Sequence, residues 1–240
     1  MLKNNWIVFE DIEKLSKQLA GDILSVARKS IKSNGSFKIV LTGGSSIIST
    51  YKILSDSRSD WNKWHVYLSD ERCLPVKDED RNNNMINQIW LNNSSIPKNN
   101  INFIHAELGV DNGALHYEKI LSNISDFDLV LLSMGDDGHS ASLFPDRLYD
   151  ENKSVVTECD SPKYPKNRIS ISYSRLNRSK KIFKIISGSS KQKAVESWLN
   201  GKILPINKIH GQSERVFFCK NALYFLKEIP TSKKIITKYL

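Results

Sequence analysis

The 240-residue sequence has few cysteines, and it lacks the spacings that usually mark metal and disulfide sites. Its three cysteines are far apart and none forms a C-x-x-C pair, which argues against a disulfide framework or a thiolate metal site. The five histidines contain no H-x-x-x-H pattern. No apolar run approaches the roughly 18 residues of a membrane span, and the N-terminus lacks the regions of a signal peptide. We therefore expect a cytoplasmic protein with no metal, no cofactor and no membrane partner.

The charge balance is basic, with a formal net charge of +9. Lysines and arginines are spread along the whole chain and cluster only at residues 178–181 and at Lys233 and Lys234. Neither cluster is flanked by aromatic residues that could stack on bases. The pattern therefore favours a lysine-rich surface over a nucleic-acid interface, and the charge suits an anionic small molecule.

Apolar and polar segments alternate in a β/α order along most of the chain. The predicted helices cover residues 11–31, 47–54, 84–91, 112–124 and 190–199, and the predicted strands cover residues 37–41, 65–69, 101–104, 127–134, 168–173, 181–187 and 215–219. Residues 150–167 are polar, contain two prolines and are typical of a long loop. The alternation predicts one α/β domain over residues 1–240, with a Rossmann-like, mostly parallel sheet and helices on both faces.

Ligands of such sheets bind beyond the carboxyl ends of the strands, so the loops that follow strands are the candidate sites. The first such loop is Gly43, Gly44, Ser45 and Ser46. Its glycines allow backbone amides to turn toward an anion, and its serines add hydroxyl donors, as a phosphate site requires. The loop lacks both G-K-[ST] and G-x-G-x-x-G, and an ordinary serine-capped turn would show the same residues.

The second loop begins with Asp70, Glu71 and Arg72, directly after a predicted buried strand. The guanidinium of Arg72 could bind a phosphate as a planar donor with a permanent charge. Alternatively, Asp70 or Glu71 could pair with Arg72 on the surface, and the spacing alone favours this ion pair.

The third loop follows the most apolar strand and contains Asp137, Gly138 and His139. A histidine in this position is suited to general base chemistry, because a nearby carboxylate can fix its tautomer and support its charged form. A purely structural histidine would fit the same pattern. Ser140 and Ser142 follow, but the G-x-S-x-G motif of a nucleophile elbow is absent.

These three loops, in this order, resemble the 6-phosphogluconolactonase family of the glucosamine-6-phosphate isomerase/deaminase superfamily. The similarity spans about residues 37–225. It rests on the G-G-S-T-P-like loop, the D-E-R-x-x-P loop followed by D-S-N, the run M-G-x-D-G-H-x-A-S-L-F-P, a strand that opens with Arg-Ile, and a G-x-x-K segment. In this sequence they are residues 43–46, 70–75 with 80–82, 134–145, 168–169 and 188–191. Three positions depart from the family pattern, namely Ser46 for Thr, Ile47 for Pro and Arg81 for Ser, and we expect Arg81 to place an extra cation near the site.

The resemblance implies hydrolysis of 6-phospho-D-glucono-1,5-lactone to 6-phospho-D-gluconate in the oxidative pentose phosphate pathway. It implies that His139 acts as a base on water and that Asp137 orients it. A lactone is an activated ester, so this chemistry needs neither a covalent nucleophile nor a metal. The resemblance also implies a phosphate site on the first loop, closed by Arg168 and Lys191. The full set of implied substrate-binding residues is Gly43, Gly44, Ser45, Ser46, Asp70, Arg72, Asn82, Arg168 and Lys191.

Three alternatives remain at this point. Glucosamine-6-phosphate deaminases carry an acid five residues after the histidine, where this sequence has Phe144. A sugar-phosphate sensor would explain the phosphate loop, but the chain leaves no room for a helix-turn-helix before residue 37. A serine hydrolase would need Ser140 or Ser142 as its nucleophile. A monomer is the simplest expectation for the assembly.

Overall fold

The computed structural model describes residues 5–226, so the predicted basic pair Lys233 and Lys234 lies outside the described residues. The strands are β1 (Trp6–Phe9), β2 (Phe37–Leu41), β3 (Trp64–Leu68), β4 (Asp70–Arg72), β5 (Ile101–Asn102), β6 (Leu129–Ser133), β7 (Val155–Glu158), β8 (Arg168–Ile171), β9 (Lys181–Ile186) and β10 (Ser213–Cys219). The helices are α1 (Ile12–Asn34), α2 (Ile48–Ser55), α3 (Asn82–Ile89), α4 (Val110–Ser122), α5 (Tyr173–Asn177), α6 (Gln192–Leu199) and α7 (Pro205–Lys208). Within this range no helix combines the length and the apolar character that crossing a membrane requires.

The main sheet has seven strands in the order β1-β10-β9-β6-β2-β3-β5, and every neighbouring pair is parallel. The central strands β2, β6 and β9 are almost continuously buried and most of their residues are apolar, as expected when a parallel sheet is covered by other elements. At one edge, β1 pairs with β10 so that Trp6 lies opposite Val216. This architecture confirms the predicted α/β fold.

The first helix shows how local sequence sets the limits of an element. Asp11 caps α1 by accepting a hydrogen bond from the Lys14 N–H at 2.7 Å. Gly35 ends the helix with a φ of +76°, a left-handed conformation that glycine adopts at little cost. Leu15 and Ile23 lie on the buried face of α1. The helix extends three residues past its predicted end, and the Gly35 N–H closes it by donating to the Ile31 carbonyl at 2.9 Å.

A second sheet was not predicted. It is antiparallel, with the order β4-β8-β7, and its register places Arg72 opposite Arg168 and Arg168 opposite Glu158. The expectation of a long loop over residues 150–167 was therefore wrong, because β7 lies inside it. The predicted strand 168–173 ends at residue 171, since α5 begins at residue 173. Strands of three or four residues are too short to show a periodic signal, yet this sheet brings Arg72 and Arg168 together.

Candidate active site

One cavity of about 390 Å³ lies at the carboxyl ends of the parallel strands. The loops after β2, β6 and β9 form its walls, and β4 and β8 of the small sheet close it on another side. Ten of the eleven predicted site residues line it, namely Gly43, Gly44, Ser45, Ser46, Asp70, Arg72, Asn82, His139, Arg168 and Lys191. The eleventh is Asp137, which contacts His139. A cavity of about 450 Å³ between α4 and β7 contains none of the predicted residues.

His139 and Asp137 form a tight pair at the cavity wall. His139 Nδ1 lies 2.5 Å from Asp137 Oδ1, and the same carboxylate oxygen accepts the His139 backbone N–H at 3.0 Å. Burial alone would raise the pKa of Asp137, but the hydrogen bonds and charge of His139 outweigh it and lower that pKa to about 2. The carboxylate therefore fixes the imidazole through Nδ1 and leaves Nε2 as the nitrogen available to a ligand.

Two other residues pack directly on the imidazole. Gly135 approaches it so closely that a Cβ atom there would lie 2.1 Å from His139 Nδ1. On another side the ring of Phe144 packs against it, with ring centroids 4.6 Å apart. Phe144 is almost fully buried, so an apolar ring occupies the position where the deaminase pattern has an acid.

The loop over residues 43–46 is held by hydrogen bonds from the neighbouring strand. Ser133 Oγ lies 3.1 Å from both the Gly43 carbonyl oxygen and Thr42 Oγ1. A Cβ atom on Gly43 would lie 2.0 Å from the side chain of Asn82, so glycine is required for their contact. Gly44 adopts a φ of +95°, which also favours glycine. Asn82 is fixed in turn, because its Nδ2 donates to the Asp70 carbonyl at 2.9 Å.

Glu71 has a structural place that the sequence did not reveal. Its side chain is fully buried and accepts the backbone N–H groups of Arg72, Asn82 and Asn83, each at 2.8 Å. The predicted surface ion pair with Arg72 is wrong, because the Arg72 guanidinium instead donates to the Asp80 carbonyl. Glu71 thus fixes the start of α3, and with it Asn82, against the strand that carries Arg72.

Arg81 does not place its charge in the cavity, contrary to expectation. Its side chain is only 1% exposed and points away from the cavity. The guanidinium donates to Glu107 Oε2 at 2.9 Å and to the Ile104 carbonyl at 3.2 Å, and its Nε lies 3.9 Å from Glu71 Oε2. Where the family pattern has a serine, this chain has a buried cation between two carboxylates.

Arg168 lines the cavity, but its guanidinium also donates hydrogen bonds to carbonyl groups of the residues that precede it in the sequence. Nε donates to the Pro165 carbonyl at 3.1 Å, and Nη2 donates to the carbonyls of Lys163 and Tyr164 at 3.3 and 2.8 Å. Its guanidinium lies over the Phe144 ring, 5.6 Å from the centroid. Burial lowers the pKa of Arg168, although nearby Asp70 opposes that shift. Arg168 therefore stabilises the loop over residues 163–165 at the cavity rim.

Sequence reasoning missed several residues that line the cavity, namely Ser133, Lys163, Tyr164, Ser187 and Ser190. Lys163 forms an ion pair with Asp136 at the rim. Asp136, Asp137 and His139 each place a possible ligand atom within 4.8 Å of the others. The ammonium group of Lys163 already balances the charge of Asp136, and we assign no metal to this group of residues. Lys163 follows Pro162 inside the predicted loop over residues 150–167, which contains no motif that indicates a site.

Ser140 and Ser142 are both fully buried, and their hydroxyl groups make structural hydrogen bonds. Ser140 Oγ donates to the Ser133 carbonyl at 3.0 Å, and Ser142 Oγ donates to Asp70 Oδ2 at 2.7 Å. Neither serine is among the residues that line the cavity. These contacts argue against either hydroxyl acting as a nucleophile.

Comparison with known proteins adds to this geometry. The family model described as glucosamine-6-phosphate isomerases/6-phosphogluconolactonase matches residues 10–218. The chain is 33% identical to 6-phosphogluconolactonase 3, chloroplastic, of Arabidopsis thaliana, over 88% of this chain and 71% of that protein. It is 32% identical to 6-phosphogluconolactonase of Thermotoga maritima, over 75% and 82%. The crystal structure of the Thermotoga maritima 6-phosphogluconolactonase superposes with a TM-score of 0.83 at 27% identity, over 90% and 98% of the two chains.

Proposed function

We propose, because the chain belongs to the glucosamine-6-phosphate isomerase/6-phosphogluconolactonase family, that it hydrolyses 6-phospho-D-glucono-1,5-lactone to 6-phospho-D-gluconate. This reaction is the second step of the oxidative pentose phosphate pathway. The observation that carries the proposal is the His139–Asp137 pair in the wall of a cavity that is also lined by Arg72, Arg168 and Lys191. A general base and several cations in one cavity suit an anionic ester.

The chemistry follows from the geometry of this pair. With Nδ1 bound to Asp137, the Nε2 atom of neutral His139 takes a proton from water, and the hydroxide attacks C1 of the lactone. Cationic and amide donors around the cavity stabilise the oxyanion that forms at the carbonyl. When the C1–ring oxygen bond breaks, the imidazolium returns its proton to the leaving oxygen. Asp137 stays ionised through this cycle and supports the charged imidazolium.

The phosphate of the substrate is held away from the reacting carbon. The loop over residues 43–46 offers backbone amides and two serine hydroxyls, and Lys191 faces the same cavity. Arg168 acts partly by fixing the rim loop. Binding energy from this remote group holds C1 against the water, which raises the rate of the chemical step. The monomeric state and the cytoplasmic location remain predictions from the sequence.

The deaminase alternative is disfavoured by Phe144. Ring opening and isomerisation of an amino sugar require several acid and base groups, and here a buried phenyl ring packs on His139 where such an acid would stand. We expect no release of ammonia from glucosamine 6-phosphate. A rate of ammonia release comparable to lactone hydrolysis would reverse this assignment.

The direct test is the decay of freshly made lactone. Glucose-6-phosphate dehydrogenase generates the lactone, and 6-phosphogluconate dehydrogenase reports the product. We expect the wild-type protein to accelerate the decay well above its spontaneous rate. A protein that binds 6-phosphogluconate but leaves the spontaneous rate unchanged would support a sensor instead. Inertness toward a fluorophosphonate probe, with activity intact, would confirm that no serine nucleophile takes part.

Replacing Gly135 by alanine should lower kcat by about 10²-fold, because the new Cβ atom would displace the imidazole from its bond to Asp137. The matched control is Gly21→Ala in α1, where a new Cβ atom meets nothing within 4 Å. The control should keep full activity and gain slightly in stability, since alanine favours a helix. Equal activity of the two variants would show that the close approach of Gly135 does not position His139.

A further inference from the structure

Two side chains at the cavity rim have no role in the mechanism above. Lys163 lines the cavity, and its ammonium group pairs with the carboxylate of Asp136. We call these two residues the rim pair. Both side chains are partly exposed, 37% for Lys163 and 48% for Asp136, so the pair can open without unfolding anything around it.

The backbone of Lys163 is fixed by hydrogen bonds, and its ammonium group is held at the rim by Asp136. Arg168 Nη2 donates to the Lys163 carbonyl, and the Lys163 N–H donates to Ser161 Oγ at 3.1 Å. Arg168 itself is only 4% exposed, so this anchor is rigid. A long, flexible lysine side chain on a fixed backbone can therefore exchange one anionic partner at the rim for another.

Asp136 faces more than one cation. The hydrogen bond from Lys163 lowers the pKa of Asp136, and the positive charges of Lys163 and Lys191 add to that effect. Lys191 also lines the cavity. Asp136 therefore lies close enough to two ammonium groups for both to act on its charge, and the carboxylate of Asp137 is also nearby. A phosphate carries about two negative charges near neutral pH, so it interacts more strongly with both lysines than one carboxylate does.

We propose that Asp136 is the resting counter-ion of Lys163, and that the phosphate of the substrate displaces it and binds Lys163 directly. This inference rests on the proposed function, since it assigns the phosphate end of that substrate. Lys163 then binds the substrate. A ligand displaces Asp136 only if it interacts with Lys163 more strongly than this carboxylate does. A neutral sugar lactone cannot break the rim pair, so the exchange favours phosphorylated ligands over their unphosphorylated analogues.

The test is a calorimetric titration with 6-phosphogluconate and with gluconate at one fixed low ionic strength. Asp136→Asn should bind 6-phosphogluconate about two- to fivefold more tightly, because no ion pair has to be broken. Lys163→Met should bind it about tenfold more weakly. Neither change should alter the affinity for gluconate. The matched control is Lys166→Met, on an exposed lysine of the same segment that pairs with Asp160, and it should behave as wild type.

The double variant Asp136→Asn with Lys163→Met tests whether the two substitutions affect the affinity for 6-phosphogluconate in a coupled way, as exchange requires, or independently. If the phosphate replaces Asp136 on Lys163, the gain from Asp136→Asn shrinks once Lys163 is gone. Strictly additive effects, or weaker binding by Asp136→Asn, would overturn the exchange. Lactonase activity of the wild type is measured in parallel. An active enzyme with additive effects refutes only the exchange, and an inactive protein with coupled effects refutes only the lactonase function.

Discussion

Replacing His139 by alanine should lower kcat by roughly 10²–10⁴-fold, which is the usual contribution of a general base. The affinity for 6-phosphogluconate should stay within about twofold of wild type, because the phosphate contacts lie on other loops. The measurement pairs coupled lactonase kinetics with calorimetric binding of the product. Loss of binding together with loss of rate would instead indicate that His139 holds the site in shape.

A control histidine and a pH profile sharpen this prediction. His65 lies near the start of β3, whereas the cavity lies at the carboxyl ends of the strands, and His65→Ala should keep full activity. In the wild type, log(kcat/KM) should fall toward acid pH with a slope of one, because a general base must be unprotonated to act. Asp137, with a pKa of about 2, stays ionised and adds no second step. A flat profile from pH 5 to 8 would contradict the base assignment.

Replacing Arg81 by methionine should destabilise the fold by roughly 3–5 kcal/mol, because it leaves a buried carboxylate without its cation. Glu71 is fully buried and Glu107 is one-quarter exposed, so most of the loss of stability arises from Glu71. Urea unfolding measures the change. The control is Arg178→Met, which breaks an exposed pair with Asp126 and should cost at most about 1 kcal/mol.

The destabilisation by Arg81→Met should also depend on pH. Burial raises the pKa of Glu71 to about 7, although backbone N–H groups and the charge of Arg81 oppose that rise. The folded state therefore binds more protons than the unfolded state between about pH 4.5 and 7, and the contribution of Glu71 to stability falls as pH rises through this window. Without Arg81 the pKa of Glu71 rises further, so the deficit should be larger at pH 8 than at pH 5. An equal deficit at both values would indicate lost packing alone.

Six of the seven strands of the parallel sheet could be predicted, because they are apolar runs separated by amphipathic helices, but the edge strand β1 was not predicted. The small sheet could not be predicted, and one of its two pairings joins residues about 100 positions apart, such as Arg72 with Arg168. Two of its three strands, β4 and β7, have three and four residues and contain no alternation that distinguishes them from a loop. Lys163 was missed for the same reason. It lies in the segment between β7 and β8, and the pairing of these two strands brings this segment to the cavity.

The candidate site was predictable as a set of residues but not as a set of contacts. The three loops and the family resemblance together identified ten residues that line the cavity, although each loop taken alone also fitted a purely structural role. The motifs did not show that Arg168 donates hydrogen bonds to backbone carbonyls. They also did not show that Glu71 accepts backbone N–H groups at the start of α3. Arg81 is the clearest case, because a sequence position beside the site does not say which way a long side chain points.

The pairing of β1 with β10 has a consequence for the nascent chain. Trp6 packs on Trp198 and Phe218, with ring centroids 4.8 and 4.5 Å apart, so the first strand has no partner until the last one leaves the ribosome. At ordinary rates of translation that interval is roughly 10–40 s. During this time the backbone groups of the apolar residues 6–9 lack their hydrogen-bonding partners on β10. For that interval β1 is exposed to pairing with another strand edge, of this chain or of a neighbouring molecule.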